Sequence, residues 1–229
     1  CQTPKISNIQ KDFFYGYNLL SWKNFYVWTK AHKAFIKDKI NYKAKINVVG
    51  SIDYLDYDIK LNLPKGKYIG VFDIIPMSTW ACCYFGLIVD YYNYKTCRDF
   101  LQNICTYAEK NNFKILYKRK RNFSIFTDKR YINLLRNFEK NKNVKNIDHR
   151  INAKHIIKLC EGVISLPFTS TAIIAYEYNI PSIYYDPSSK ISGQPFKEKE
   201  IKIINDQKKL NSWLVSVNNK INYNKNNKS

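Results

Sequence analysis

From Lys67 to Val217, short β-branched and aromatic runs alternate with amphipathic stretches of helical period, and no other feature constrains the fold as tightly. YIGVFDII, Tyr68 to Ile75, is continuous and apolar, as a strand covered on both faces must be. Residues 93–110 set Cys97, Leu101, Ile104 and Ala108 on one helical face. FKILYK, Phe113 to Lys118, is a second strand, and Asp128 caps a helix with Tyr131, Leu134, Leu135 and Phe138 inward. Val144 to Ile147 is a short strand, and Asn152 opens a short helix ending at Leu159. GVISL, Gly162 to Leu166, is a strand, Thr169 to Tyr178 a helix, and SIYY, Ser182 to Tyr185, a strand. Ile201 to Ile204 reads as an edge strand and Gln207 to Val217 as the last helix. Strands separated by helices of this length run parallel. The expected fold class is therefore α/β, a Rossmann-like parallel sheet with helices on both faces.

The flanks are less regular. Trp22, Phe25, Trp28, Ala31 and Phe35 recur at helical spacing, which predicts a helix over roughly 22–38. KINVVGSI, Lys45 to Ile52, is a short β-type run, and Leu63-Pro64-Lys65-Gly66 marks a boundary. Residues 1–64 then read as the remnant of a preceding domain and a linker, 65–217 as the sheet domain, and 218–229 as a disordered tail. The first residue is Cys1 rather than Met, which reads as an interior fragment.

The formal net charge is +20, which predicts anionic partners: nucleic acid, anionic lipid headgroups or phosphorylated substrates. A composition rich in Lys, Asn and Ile accounts for part of it, but the charge is uneven. Residues 110–158 hold fifteen basic residues against Asp128, Glu139 and Asp148, a net +12. The longest apolar run, Ser78 to Val89, is about half of the roughly 20 residues a spanning helix needs. The six cysteines form no Cys-x-x-Cys pair, and no Cys/His cluster has zinc spacing. A reduced, cytoplasmic setting is expected, with peripheral contact at an anionic inner membrane face.

Ligands of open parallel sheets bind beyond the carboxyl ends of the strands. Those ends here are Asp73-Ile74-Ile75-Pro76, Lys118-Arg119-Lys120-Arg121, Asp148-His149-Arg150, Pro167-Phe168-Thr169-Ser170-Thr171 and Asp186-Pro187-Ser188-Ser189, all polar or charged. Thr169, Ser170 and Thr171 open a helix, where backbone N–H groups and the macrodipole favour an anion. An ordinary N-cap needs only one such hydroxyl. Lys118, Lys120 and Arg121 are candidates for neutralising a phosphate, with a solvated basic loop as the alternative. His149, Asp186, Ser188 and Ser189 are candidates for contacting the nucleotide. Asp73, read as facing the crevice, is a weak candidate for orienting an acceptor hydroxyl beside a purely structural role. Trp80, Tyr84, Phe85, Tyr91, Tyr92 and Tyr94, on a long loop from Pro76, would stack on sugar rings or pack against another domain. No Gly-x-Gly-x-x-Gly follows a strand and no Walker lysine loop is present, which argues against a dinucleotide oxidoreductase and a P-loop nucleotidase.

The stretch GVISLPFTSTAIIAYEYNIPSIYYDPSS, Gly162 to Ser189, resembles bacterial polysaccharide-biosynthesis proteins named for a Pro-Phe-Thr-Ser motif, present here as Pro167-Phe168-Thr169-Ser170. VFDIIP (Val71 to Pro76), ILYKRKR (Ile115 to Arg121) and INVVGSI look similar to the same group. The resemblance implies the C-terminal, donor-binding domain of a GT-B glycosyltransferase that takes a nucleotide sugar and a glycan or lipid-linked acceptor. It implies a CMP-activated acidic sugar as donor, with Ser170 and Thr171 on its phosphate, and no metal or other cofactor. The Glu-x-x-x-x-Gly-x-Pro segment of many retaining relatives is absent: Ile174 stands where the Glu would be and Asn179 where the Gly would be. The Lys-Pro-His-Pro run of related transferases is replaced by Lys-Arg-Lys-Arg. Two rivals remain: a CDP-polyol phosphotransferase on the same fold, and a nucleic-acid-binding module using the +12 segment.

Overall fold

Every residue of the run Tyr68–Phe72 is buried, and the rest of the architecture is laid around that strand. The computed structural model describes residues 21–40, 42–50, 61–87, 91–167, 169–191 and 201–226. Cys1, Ser51, Ile52, Val89 and Phe168, used in the sequence reading, lie outside them. The chain divides into two compact units, residues 1–58 and 59–229.

In the first unit, β1 (Asn24–Val27) and β2 (Lys45–Val48) pair in parallel and are joined by α1 (Lys30–Lys39). The helix expected over 22–38 is thus a strand followed by a shorter helix. Phe25 and Val27 alternate inward onto Ile36 and Ile46, a period of two that outweighs the helical spacing of the tryptophans. Trp22 and Trp28 stay exposed. Thr29 is extended, and its hydroxyl accepts from the His32 N–H at 3.0 Å, so the helix cannot begin before Lys30.

The second unit holds β3 (Tyr68–Phe72), α2 (Thr79–Tyr84), α3 (Tyr94–Lys110), β4 (Lys114–Lys118), α4 (Lys129–Phe138), β5 (Val144–Ile147), α5 (Ala153–Ile157), β6 (Gly162–Ser165), α6 (Ser170–Glu177), β7 (Ser182–Tyr185), β8 (Ile203–Ile204) and α7 (Gln207–Asn226). The strands form one parallel sheet in the order β5-β4-β3-β6-β7-β8. On one face Ile69, Val71, Ile115, Tyr117 and Ile164 pack under α3, α4 and α7 through Phe100, Leu101, Leu135, Leu210 and Leu214. On the other, Tyr68, Phe72, Leu116 and Val163 pack under α5 and α6 through Ile156, Ile157 and Ala175. Asp128 and Asn152 cap α4 and α5 as their positions predict, accepting from the Arg130 and Lys154 N–H groups.

Strand and helix ends shift by one or two residues from the sequence reading, the edge strand for example covering Ile203–Ile204 alone, and three departures are larger. The first strand stops at Phe72, because its partners Lys118 and Ser165 end there. The loop after Pro76 contains the short helix α2. The last helix does not fray at Val217 but continues to Asn226. Ile221 is buried there, and Lys67 Nζ donates to Asn218 Oδ1 at 2.6 Å and to Asn222 Oδ1 at 3.3 Å.

Gly162 opens β6 against α7. A Cβ at that position would lie 2.9 Å from Trp213 Cη2 and 3.4 Å from the Pro181 carbonyl oxygen. Gly162→Val is therefore expected to cost about 1–3 kcal/mol of stability in urea melts. Combining it with Trp213→Leu should recover part of the loss. Equal loss in the single and double variants would refute the contact.

Candidate functional site

The order of the sheet decides where a ligand can sit. Connections run outward from β3 through β4 to β5 on one side, and from β6 through β7 to β8 on the other. The crevice of such a sheet opens beyond the carboxyl ends of the two central strands, here β3 and β6. The Leu166 N–H donates to the Phe72 carbonyl at 3.2 Å, tying the two exits together.

The exit of β6 is built around hydroxyls. Thr169 is the extended N-cap of α6, yet its side chain caps no first-turn N–H. Its Oγ1 donates instead to the Leu166 carbonyl at 2.9 Å and lies 3.3 Å from Thr171 Oγ1. Thr171 Oγ1 is 2.8 Å from Ser165 Oγ. The Pro167 carbonyl accepts from Tyr92 Oη at 3.1 Å, and the Thr169 carbonyl from Tyr184 Oη at 3.0 Å. Of the three hydroxyls read as converging on an anion, two thus brace the loop and Ser170 is the exposed one at the helix tip.

The four basic residues at the exit of β4 separate. Lys118 pairs with Phe72 on one side and Ile147 on the other, so it projects to the α5–α6 face, the face from which Ser165 reaches Thr171. Lys118 is 8% exposed, and its Nζ donates to the Arg119 carbonyl at 3.3 Å. Burial pulls its pKa down, with Asp148 opposing. Arg119 lies over the Phe123 ring, 4.4 Å from its centroid. Lys120 and Arg121 line a pocket of about 580 Å³ whose other walls include Ile74, Ile75, Met77, Phe126 and Tyr92. Through its hydroxyl, Tyr92 links that pocket to the Pro167 loop.

Asp73 does not face the crevice. It is 3% exposed, accepts from Tyr117 Oη at 3.0 and 3.1 Å, and also accepts from Tyr131 Oη. Tyr117 and Tyr131 are themselves 2.8 Å apart. Burial pushes its pKa up to about 7, while the two phenols and Arg119 pull the other way. Tyr131 reads from sequence as a core residue and Tyr117 as part of the second strand. The signal that was available is that a buried phenol needs a partner for its O–H.

The remaining candidates close on themselves. Asp186 is fully buried and accepts from the Ser188 N–H at 2.9 Å, Ser188 Oγ at 2.7 Å and the Ile191 N–H at 2.9 Å. Ser189 has φ 55° and donates to the Asn205 carbonyl at 3.1 Å. These three residues shape the β7 exit from within. His149 Nδ1 is 3.4 Å from Asp148 Oδ1. Asp148 in turn accepts from the Arg150 N–H and guanidinium, which hold its carboxyl well below the usual carboxylate range.

Comparison with known proteins adds the following. Residues 1–214 match the family described as polysaccharide biosynthesis PFTS motif protein. No curated protein matches the chain. Among solved structures, a mutant of S. aureus TarM in complex with fondaparinux, α-GlcNAc-glycerol and UDP is similar at 12% identity and TM-score 0.46, over 86% of this chain and 37% of that one. The pneumococcal O-GlcNAc transferase GtfA, in complex with UDP and GlcNAc, is similar at 11% identity and TM-score 0.42, over 88% of this chain and 39% of that one. The chain therefore spans less than two fifths of the length of these structures. Among the described residues no helix is long and apolar enough to cross a membrane.

Proposed function

The chain belongs to the polysaccharide biosynthesis PFTS motif family, and from that premise we propose that its sheet unit binds the donor of a nucleotide-sugar glycosyltransferase of GT-B type. The observation that carries the reading is the tip of α6. Its first-turn N–H groups lack a side-chain cap, Ser170 is exposed there, and it stands at the exit of a central strand. A helix N-terminus with unsatisfied amides favours a phosphate.

Lys118 and Ser165 stand two strand spacings apart on one face, about 10 Å between backbones. A lysine side chain spans much of that gap, and on this reading Lys118 would turn from the Arg119 carbonyl toward a phosphate at the α6 tip. Sugar transfer passes through an oxocarbenium-like state, and holding the departing phosphate is the main electrostatic task. Lys118 and the helix tip would do this without a divalent cation. The Ser165–Thr171–Thr169 hydroxyl chain, with the Tyr92 and Tyr184 bonds, holds the loop in place before the donor arrives. A single-phosphate donor suits one tip and one buried cation better than a diphosphate does, which supports a CMP-linked acidic sugar. The acceptor on this reading is a glycan or a lipid-linked glycan, in keeping with a family of polysaccharide biosynthesis.

Calorimetric titration with CMP, UDP, GDP and dTDP tests this directly. CMP is expected to bind, and Ser170→Ala to weaken it about 2- to 10-fold, the worth of one hydrogen bond. Absence of binding by all four nucleotides, or equal binding by the Ser170→Ala/Thr171→Val variant, would sink the reading.

A further inference from the structure

The segment that follows β3 carries surface its own core does not use. From Ile74 to Leu87 no residue is charged. Within it Trp80, Tyr84, Phe85 and Leu87 are 55%, 76%, 47% and 50% exposed, and Ile125, next to Phe126 in the chain, is 81% exposed. Phe126 joins the rings into one patch, with centroids 5.7 Å from Trp80 and 5.1 Å from Phe85. The patch sits on fixed backbone. The Ser78 N–H donates to the Phe126 carbonyl at 2.7 Å, and Met77 bridges Thr127. Contiguous exposed apolar surface of this kind marks an interaction site.

Charge narrows the partner. Residues 118–127 hold four basic residues and no acidic one, and the exposed pair Lys120 and Arg121 lines the pocket that Phe85, Leu87 and Phe126 also wall. Amphipathic rings and aliphatic tips next to cations match the boundary between lipid headgroups and acyl chains. We propose that this face docks on an anionic lipid surface, with Trp80, Phe85, Leu87 and Ile125 entering the interface and Lys120 and Arg121 meeting lipid phosphates. The proposal does not rest on the donor assignment.

Sedimentation with vesicles of phosphatidylcholine, alone or with about 30% phosphatidylglycerol, tests it. The mixed vesicles are expected to bind the chain, and the neutral ones about tenfold less. Phe85→Ser/Ile125→Ser should weaken binding to the mixed vesicles about tenfold. Lys120→Gln/Arg121→Gln should weaken it about 30-fold at low salt. All four residues are solvent-facing, and melting curves identify any variant that fails to fold. Brominated lipid should quench tryptophan fluorescence in the wild type and not in Trp80→Phe. No binding to the mixed vesicles, or binding insensitive to the apolar pair, overturns the proposal. A lipid-free dimer dissolved by the same substitutions overturns it too and assigns the face to a second copy. Nucleotide titration of the apolar-pair variant reads the donor site separately.

Discussion

Urea unfolding of the wild-type chain is expected to lose about 3 kcal/mol of stability between pH 5 and pH 8, and Asp73→Asn is expected to abolish that loss. In the unfolded chain the Asp73 carboxyl gives up its proton near pH 4. In the folded chain burial keeps the proton on until about pH 7. Between those values the folded state binds more protons, so raising the pH favours unfolding. The stabilisation is complete below the unfolded value and gone once the pH has passed the folded one. Asp128 and Asp148 act in the opposite sense and lower down. Arg130 and Arg150 hold their carboxyls below the usual range, so their support is lost only as the pH falls under about 4. Asn retains an acceptor for one of the two phenols and removes the titration. The reading is the difference between wild type and variant across the pH series, and parallel curves would show that the carboxyl is ionised throughout.

Lys118→Met is expected to weaken nucleotide binding about 10- to 100-fold while stability holds or rises. The two halves of that outcome share one cause. An ammonium 8% exposed, with one carbonyl at 3.3 Å as its hydrogen-bond acceptor, is costly to fold away. Met keeps the apolar stem and discards the charge. On the proposed function a bound phosphate would supply the counter-charge, and the cost would be recovered only in the complex. Calorimetry and urea melts on the same sample separate the effects. Lower stability with unchanged affinity would make Lys118 a structural residue and remove it from the phosphate site.

The central strands were readable because each is a short, uninterrupted apolar run between capped helices: Tyr68–Phe72, Lys114–Lys118 and Gly162–Ser165 lie within one to three residues of where the pattern places them. Asp128 and Asn152 were readable for the same reason, since a cap is a local device. What depends on contacts across the sheet was not. The Asp73–Tyr117–Tyr131 cluster joins residues up to 58 apart in sequence. No local period distinguishes a tyrosine that packs from one that also donates. The split of Lys118 from Lys120 and Arg121 follows from register and from where the strand stops, and strand ends are set by neighbours. At 22–38 a helical spacing of large aromatics competed with a period-two pair, Phe25 and Val27, and tertiary burial decided for the latter. Thr169 and Thr171 were correctly placed at a helix start, but their inward bonds to Leu166 and Ser165 required the β6 backbone to be known.

The clasp between Lys67 and the asparagines of α7 has a consequence for how this unit can be combined with others. The residue leading into the first strand and the final helix, 151 positions apart, are held side by side. Polypeptide arriving at the sheet unit and polypeptide leaving it therefore share one corner. A module closed in that way can be spliced into a longer protein with short joints and little disturbance of its interior.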